Sequence, residues 1–500
     1  MQHESDLFDS RSGVSILKKS GLAKMRLKNK MKPIAPTLFL YGTCLFITES
    51  ADAQEPPPTL RVDYYHTGNA LTELFSLHQV VTEPLPWPGN PSKPIDNTNR
   101  GLYLYEVVEP VSDKVLYSRG FSSIFGEWQL TGEALKINRT FHESVRFPKP
   151  DHPVRLRLSR RDDANRFAAV WTIDIDPDDM LVVRKTAPAA TPTLSILNNG
   201  PSADKVDLLL LGDGYTKGEA GLFEADAKKL MDDLFTASPF KEHQSDFNVH
   251  AINPPAPESG TNRPSNGTYR WSPTGTTYDA FRAERYILAF DNPGLREIAQ
   301  YAPYEFIIIL TNSETYGGGG IFGLYSTVAA HNAWARYLMI HEFGHHFAAL
   351  ADEYYTSPEV YDIKSEARPE PWEPNVTALH APANLKWRKL VAPDTPLPTP
   401  WPKEEYEVFQ KENQARRTQL RKENRPEAEM NRLFTDEQRF VGNLFGPAQY
   451  NAKVGAFEGA NYESTGYYRS ELNCIMFTRH TDFCQVCRNA IEEVMRLYLD

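Results

Sequence analysis

A histidine pair with a glutamate beside it is the clearest chemical signal in the sequence. Residues 341–345 read His-Glu-Phe-Gly-His, so His341 and His345 lie one helical turn apart. Two imidazoles on one helix face can reach the same zinc ion. Glu342 is rotated by about 100° from His341, which sets its carboxylate beside the metal, where it can accept a proton from water. The motif therefore predicts zinc-dependent hydrolysis, with His341 and His345 as ligands and Glu342 as general base.

A zinc site of this kind needs a third protein ligand, and the nearest candidates are Asp352 and Glu353. A straight helix would carry Asp352 about 10.5 Å beyond His345, too far for a zinc–oxygen bond of about 2.0–2.2 Å. We therefore expect the helix to end near 348–350 and the chain to turn back. Glycine usually makes that turn, but Ala348 and Ala349 stand there.

The segments around the motif must bury one face of this helix. Met339, Phe343, Phe347 and Leu350 form an apolar stripe away from the histidine pair, and His346 points away from that pair. A glycine-rich stretch, residues 317–320, precedes the motif and is followed by a possible edge strand at 321–328. An edge strand beside an active-site helix can bind an extended peptide by strand addition.

Four sequence segments resemble the bacterial IgA peptidase family of zinc metallopeptidases, which are metzincin-like zincins. They are HEFGHHFAALADEYY (341–355), EPWEPNVT (370–377), LGDGYT (211–216), and Cys474-Ile475-Met476 followed by residues 483–487, Phe-Cys-Gln-Val-Cys. The resemblance covers most of residues 60–500. It implies a secreted zinc endopeptidase that binds one catalytic Zn²⁺ and acts on a protein or peptide substrate.

The resemblance also implies individual roles. His341, His345 and Asp352 would bind the metal, Glu342 would act as base, and Met476 would pack beneath the ligands in a Met-turn. The chain departs from the usual metzincin pattern because the spacing to Asp352 is one residue longer and the glycine is missing. Thr478 stands where many members have tyrosine, so Tyr467 or Tyr468 is a candidate for the hydroxyl on the oxyanion side.

The C-terminal cysteines allow several states. Export into an oxidising compartment favours one disulfide among Cys474, Cys484 and Cys487, with one thiol left over. A small Cys₃His zinc site that includes His480, or three free thiols, are the alternatives. None of these states predicts a catalytic cysteine.

Targeting and linker signals divide the chain. Residues 1–53 have the basic region, apolar stretch and Ala-Asp-Ala site of a signal peptide, with a lipoprotein anchored at Cys44 as the alternative. The expected location is therefore secreted, periplasmic or on the cell surface. Residues 54–185 predict a β-sandwich domain, and a linker at 187–193 leads into a zinc metallopeptidase domain at 194–500. A segment rich in proline and charge, about 366–440, predicts a surface insertion.

The predicted fold class is α+β, with the β-sandwich followed by a metzincin-like α/β protease domain. Alternating residues predict strands at 60–65, 101–108 and 154–158, and this domain carries no catalytic signal. In the second domain, strands at 206–211, 247–252 and 306–310 alternate with helices at 216–237, 278–288 and 295–301.

Composition limits the function classes. The net charge of −11 argues against nucleic-acid binding, which needs a basic face. No apolar run reaches the roughly 20 residues of a membrane span, so we do not expect an integral membrane protein. Two alternatives to the endopeptidase stay open: another zinc hydrolase, such as a deacetylase or esterase, and a non-enzymatic surface-binding protein with a degenerate zinc site.

Overall fold

The computed structural model describes residues 56–187, 193–356 and 368–499. The predicted signal peptide, Cys44 and most of the predicted linker lie outside these ranges. Residues 55–500 form one compact unit. No helix within the described ranges has both the length and the apolar character needed to cross a membrane.

Two antiparallel-rich sheets make up the N-terminal region, as the alternating sequence predicts. A short helix, α1 (Ile124–Gln129), joins them, and its N-cap Ser123 accepts a hydrogen bond from the backbone of Gly126 at 3.0 Å. The strands are β1 (Pro58–Gly68), β2 (Glu73–Pro86), β3 (Tyr103–Val108), β4 (Val115–Phe121), β5 (Arg139–Pro148), β6 (Val154–Arg161), β7 (Phe167–Ile175) and β8 (Val183–Arg184).

These strands form a sheet of order β5-β1-β2-β8 and a sheet of order β4-β3-β6-β7. Val62 and Tyr64 of the first sheet share a buried core with Tyr105 and Leu156 of the second. Each fully buried aliphatic side chain of this kind contributes about 1.5–3 kcal/mol to folding. The predicted strands at 60–65 and 154–158 are confirmed as parts of β1 and β6, and the one at 101–108 is confirmed as β3, which begins two residues later at Tyr103.

A six-stranded mixed sheet organises the second region, with the order β15-β16-β14-β10-β11-β9. β10, β11, β14 and β16 run parallel, whereas β9 and β15 run antiparallel at the two edges. Its strands are β9 (Thr193–Leu197), β10 (Val206–Asp213), β11 (Phe247–Ile252), β14 (Phe306–Thr311), β15 (Gly318–Ile321) and β16 (Tyr325–Ala329); the short pair β12 (Thr276–Thr277) and β13 (Leu288–Ala289) lies outside it.

Helices cover both faces of this sheet. Leu208 and Leu210 of β10 face the core that holds the active-site helix, and Leu209 and Leu211 face the opposite core. The remaining elements are α2 (Ala220–Leu234), α3 (Asn292–Ala299), α4 (Ala335–Ala348), α5 (Lys403–Lys422), α6 (Glu427–Phe445), α7 (Gln485–Met495), β17 (Val376–Thr377), β18 (Phe457–Ala460) and β19 (Glu463–Arg469).

Three sequence-based expectations for this region are wrong in detail. Residues 278–288 do not form an α-helix, because Asp279, Phe281 and Arg282 adopt positive φ angles that interrupt helical geometry. The edge strand is not 321–328 but the glycine stretch itself, β15, paired with β16.

The charged insertion is also more than a surface segment. One face of α5, including Tyr406 and Leu420, packs against Phe434 and Phe445 of α6 and joins the main core. The helix itself agrees with the mixed-charge pattern, but its apolar residues are too widely spaced for the sequence to reveal that face.

The N-terminal region supports the end of the active-site helix. Arg100 donates hydrogen bonds to the carbonyls of Ala348 and Ala490 at 3.0 and 2.8 Å. A guanidinium at this position satisfies the unpaired carbonyl at the end of α4. Its positive charge is also attracted to the negative end of that helix's dipole. The β-sandwich therefore helps to hold α4 in place.

Candidate metal centre and active site

The helix α4 carries both histidines and ends where the third ligand requires. It runs from Ala335 to Ala348 and is closed by Ala349 in the left-handed conformation, with φ 56° and ψ 36°. The backbone N–H groups of Ala349 and Leu350 bond to the carbonyls of His345 and Gly344. This is the helix end and reversal that the spacing predicts, made by alanine instead of glycine.

The reversal brings Asp352 between the two histidines. Oδ1 of Asp352 lies 3.2 Å from Nε2 of His341 and 3.3 Å from Nε2 of His345, and the two Nε2 atoms are 3.2 Å apart. Glu353, the alternative ligand, belongs to a different cluster. The structure thus brings His341, His345 and Asp352 together.

The other atoms of these side chains are held by the protein. Nδ1 of His341 lies 2.9 Å from the carbonyl oxygen of Ile475, and Nδ1 of His345 lies 2.5 Å from that of Leu350. A proton on each Nδ1 leaves both Nε2 atoms free to bind a metal. Oδ2 of Asp352 accepts a hydrogen bond from Tyr462, whereas its buried Oδ1 has no hydrogen-bond donor among the described residues. The donor set fits one metal ion.

Charge interactions inside the cluster are strong. Burial alone would raise the pKa of Asp352, but the two imidazoles outweigh it and hold that pKa well below its usual range. Burial alone would lower the pKa of His345, but the Asp352 carboxylate raises it to about 9. The pocket therefore favours the ionised form of Asp352 next to positive charge. A divalent cation bound between the three side chains would supply that charge.

Glu342 faces the cavity beside the histidines. Desolvation raises its pKa, and the neighbouring histidines oppose that rise. A Cβ atom at Gly318 would lie 2.9 Å from Cγ of Glu342, and one at Gly320 would lie 2.2 Å from its carbonyl oxygen. The glycines of β15 thus allow the edge strand to pack directly against the active-site helix.

Two residues predicted around the helix lie where the sequence indicates. Met476 is fully buried, and a Cβ at Gly344 would lie 3.2 Å from its sulfur, so Met476 packs against the helix between the two histidines. His346 is fully buried beside Phe306, away from the metal cluster, and burial lowers its pKa to about 3.

A cavity of about 940 Å³ opens onto the cluster. Tyr467 lines this cavity, but its hydroxyl donates to the carbonyl of Pro369 at 3.2 Å. Sequence reasoning missed other lining residues because they come from distant loops. Tyr354 and Tyr462 flank Asp352, and Arg285 donates to the hydroxyl of Tyr354 at 3.2 Å. Only Tyr354 carried a signal, since it lies two residues after Asp352.

The segment EPWEPNVT (370–377) supports the loop that carries Asp352. Asn375 accepts a hydrogen bond from the N–H of Ala351 at 2.8 Å and donates to the carbonyl of Ala351 at 2.9 Å. The same amide donates to Glu353 at 3.0 Å. One side chain therefore holds the backbone just before Asp352 and the side chain just after it.

Two known family models match the chain. Residues 194–495 match the family described as IgA Peptidase M64, and residues 53–172 match the Peptidase M64 N-terminus. The chain belongs to the IgA peptidase M64 family. It is therefore a peptidase whose substrates are proteins, from a family that generally depends on a metal. No curated protein matches the chain in sequence.

Proposed function

We propose that this M64 family member is a secreted, zinc-dependent endopeptidase. The observation that carries the proposal is the convergence of His341, His345 and Asp352 within about 3.3 Å, with the carboxylate of Glu342 facing the same cavity. Two imidazoles and one carboxylate suit Zn²⁺ and leave a coordination position open. The predicted signal peptide supports secretion.

Each residue has a specific task in this proposal. Bound zinc would act as a Lewis acid toward the scissile carbonyl and the attacking water. Glu342 accepts the proton of that water on its carboxylate and passes it to the leaving amine nitrogen. Desolvation raises the pKa of Glu342, which makes its carboxylate a stronger base toward that water.

Arg285 and Tyr354 are suited to stabilise the developing oxyanion. Both line the cavity, and the guanidinium donates to the phenol oxygen at 3.2 Å, which leaves the phenol proton to point elsewhere. Fixed hydrogen-bond donors that point at the developing negative charge contribute much of the transition-state stabilisation in acyl transfer. This assignment replaces Tyr467 and Tyr468 as the preferred candidates.

The outer edge of β15 can bind the backbone of an extended substrate. Gly318 bonds through its N–H and C=O to Arg285 and Ile287, and Gly320 points to the same outer side because strand residues alternate. Gly318 and Gly320 both line the cavity. Because the outward groups of Gly318 are already paired, an extended peptide can add as a strand from Gly320 onward, with its scissile bond near Glu342.

A mixed peptide library tests the proposal. The purified chain should cut internal peptide bonds, lose that activity with a chelator and regain it when Zn²⁺ is restored. Release of single terminal residues only would contradict an endopeptidase. Intact peptides combined with turnover of acetyl-lysine or simple esters would instead favour another zinc hydrolase.

A further inference from the structure

A second group of metal-binding side chains lies behind the candidate active site. Glu353, Cys474, Cys484 and Cys487 are all buried, and their ligand atoms lie within 4.8 Å of one another. The three cysteines are free thiols, which differs from the disulfide expected from the sequence. His480 contacts the backbone of Asp482 and is not part of the group.

The distances match a tetrahedral metal site. Zinc–sulfur bonds of about 2.3 Å place two sulfurs of a tetrahedron about 3.8 Å apart, and a sulfur and an oxygen about 3.5 Å apart. Sγ of Cys474 lies 3.8 Å from Sγ of Cys487, and Sγ of Cys487 lies 3.5 Å from Oε1 of Glu353. These two distances therefore have the length expected for edges of such a tetrahedron, and the other ligand atoms lie within 4.8 Å.

Hydrogen-bond donors point at two of the three sulfurs. The backbone N–H of Cys484 points to Cys474 at 3.3 Å, and the N–H of Cys487 points to Cys484 at 3.4 Å. Ser470 lies 3.1 Å from the sulfur of Cys484, which is also the N-cap of α7. N–H donors and the positive end of a helix stabilise thiolates, as the outer partners of a metal site do.

Glu353 supplies an independent observation. Asn375 donates to its Oε1 at 3.0 Å, but its Oε2 is buried without a hydrogen-bond partner among the described residues. A buried carboxylate without full pairing is costly unless it binds a cation. A disulfide between Cys474 and Cys487 would leave Oε2 of this carboxylate without a partner, whereas a divalent ion held by Glu353 and the three sulfurs would balance the carboxylate's buried charge.

We propose that Glu353, Cys474, Cys484 and Cys487 bind a second, structural Zn²⁺ ion, distinct from the ion of the active site. All four positions of a tetrahedron are then filled by protein, as in structural rather than catalytic sites. The ion would join the loop after α4 to two neighbouring segments that are distant from it in sequence: the turn at 474–478 and the start of α7.

The position of this site gives it a role in holding the catalytic ligands. Glu353 follows Asp352 directly, and its N–H donates to the carbonyl of Met476 at 2.9 Å. The neighbouring carbonyl of Ile475 lies 2.9 Å from Nδ1 of His341. Fixing Glu353 and Cys474 therefore fixes the backbone that orients both Asp352 and His341.

The test removes the first site and counts zinc in the second. The double variant His341→Ala/His345→Ala should still retain about one zinc per chain by elemental analysis. Titration of its thiols with a mercurial should release that zinc, and replacement by Co²⁺ should give the near-ultraviolet charge-transfer absorption of cobalt–thiolate bonds. These readouts do not depend on the active site, so failure of the proposed peptidase activity would leave them unchanged.

Variants within the cluster complete the test. Glu353→Gln preserves shape and removes one ligand, so it should weaken zinc retention in the double-variant background. Adding Cys484→Ser should abolish the cobalt–thiolate absorption, whereas the exposed control Glu412→Gln should leave zinc and spectrum unchanged.

Three outcomes would each overturn the proposal. They are a double variant without metal, zinc that survives thiol titration, and a single free thiol found by alkylation and mass spectrometry. The last result would show a disulfide instead. Misfolding of the cysteine variant does not affect the thiol titration, which needs no change in the cluster.

Discussion

The hydroxyl of Tyr462 donates a hydrogen bond of 2.6 Å to Oδ2 of Asp352, across 110 residues of sequence. This contact orients the carboxylate so that Oδ1 faces His341 and His345. Outer partners of this kind fix a ligand's geometry and its basicity. Tyr462 therefore supports the candidate metal site although no motif includes it.

Tyr462→Phe should weaken zinc binding at the active site by about 10–100-fold. Peptide hydrolysis followed against free zinc, set with a metal buffer, should show half-maximal activity at a correspondingly higher zinc concentration. Tyr468→Phe is the matched control, because Tyr468 lies on β19, which begins directly after Tyr462, and does not line the cavity. An unchanged zinc dependence in Tyr462→Phe would mean that Asp352 needs no such support.

Asp352→Ala should remove one equivalent of zinc from the chain and abolish hydrolysis. It deletes one of three protein ligands, and the two remaining histidines cannot hold the ion tightly. Elemental analysis beside the exposed control Asp394→Ala gives the comparison. Full zinc retention with normal activity would place the third ligand elsewhere.

Glu342→Gln should fold and keep its zinc but lose about 10²–10⁴-fold in turnover, because an amide cannot accept the proton. Steady-state hydrolysis of a peptide cleaved by the wild type measures the loss. Glu412→Gln, an identical change on the exposed face of α5, should keep full turnover. Near-normal turnover in Glu342→Gln would exclude Glu342 as the base.

The sequence predicted the parts of this site that depend on local spacing. His341, Glu342 and His345 share a helix, and the distance from His345 to Asp352 alone required the helix to end near Ala349. Arg285, Tyr462 and Asn375 could not be predicted in the same way, because loop packing brings them to the site across long stretches of chain. The fold followed the same rule. Buried parallel strands such as β10 were evident, whereas the backbone turns at Asp279 and Phe281 broke a helix that residue types favoured.

The turn at Ala349 offers a test of backbone strain. A non-glycine residue in the left-handed region costs about 1–2 kcal/mol, and glycine loses about 0.4–1 kcal/mol through the entropy of the unfolded chain. Ala349→Gly should therefore leave the free energy of unfolding equal or higher by up to about 1 kcal/mol. Ala349→Val, branched at Cβ and buried, should lower it by about 1–3 kcal/mol and reduce zinc retention.

Chemical denaturation of the two variants, with zinc measured in parallel, checks this prediction. Valine is the informative comparison because the next residue, Leu350, accepts a hydrogen bond on its carbonyl from Nδ1 of His345. A shift of the backbone at position 349 would therefore disturb His345. Equal stability of the valine and glycine variants would show that the turn adopts another conformation in solution.

The buried histidine of the β-sandwich should make stability depend on pH. His66 is fully buried between Phe75 and Phe125, with Nδ1 3.0 Å from Glu143 and Nε2 3.1 Å from Glu73. Burial alone would lower the pKa of His66, but the two carboxylates outweigh it and raise the pKa above 6.5. The folded state thus binds a proton more tightly than the unfolded chain.

The sign follows from this difference. The stabilisation from His66 is complete below the unfolded pKa of 6.5 and is lost as the pH rises through the higher folded value. His66→Gln, which can bond but cannot be charged, should lower the free energy of unfolding by about 1.5–3 kcal/mol near pH 5, and by less as the pH rises. Denaturation of both proteins across the pH range measures that difference.

His380→Gln, at an exposed histidine, should give a small difference that does not change with pH. If the difference between wild type and His66→Gln also stayed constant with pH, the imidazole would be neutral in the folded state and its carboxylate neighbours would carry the proton instead.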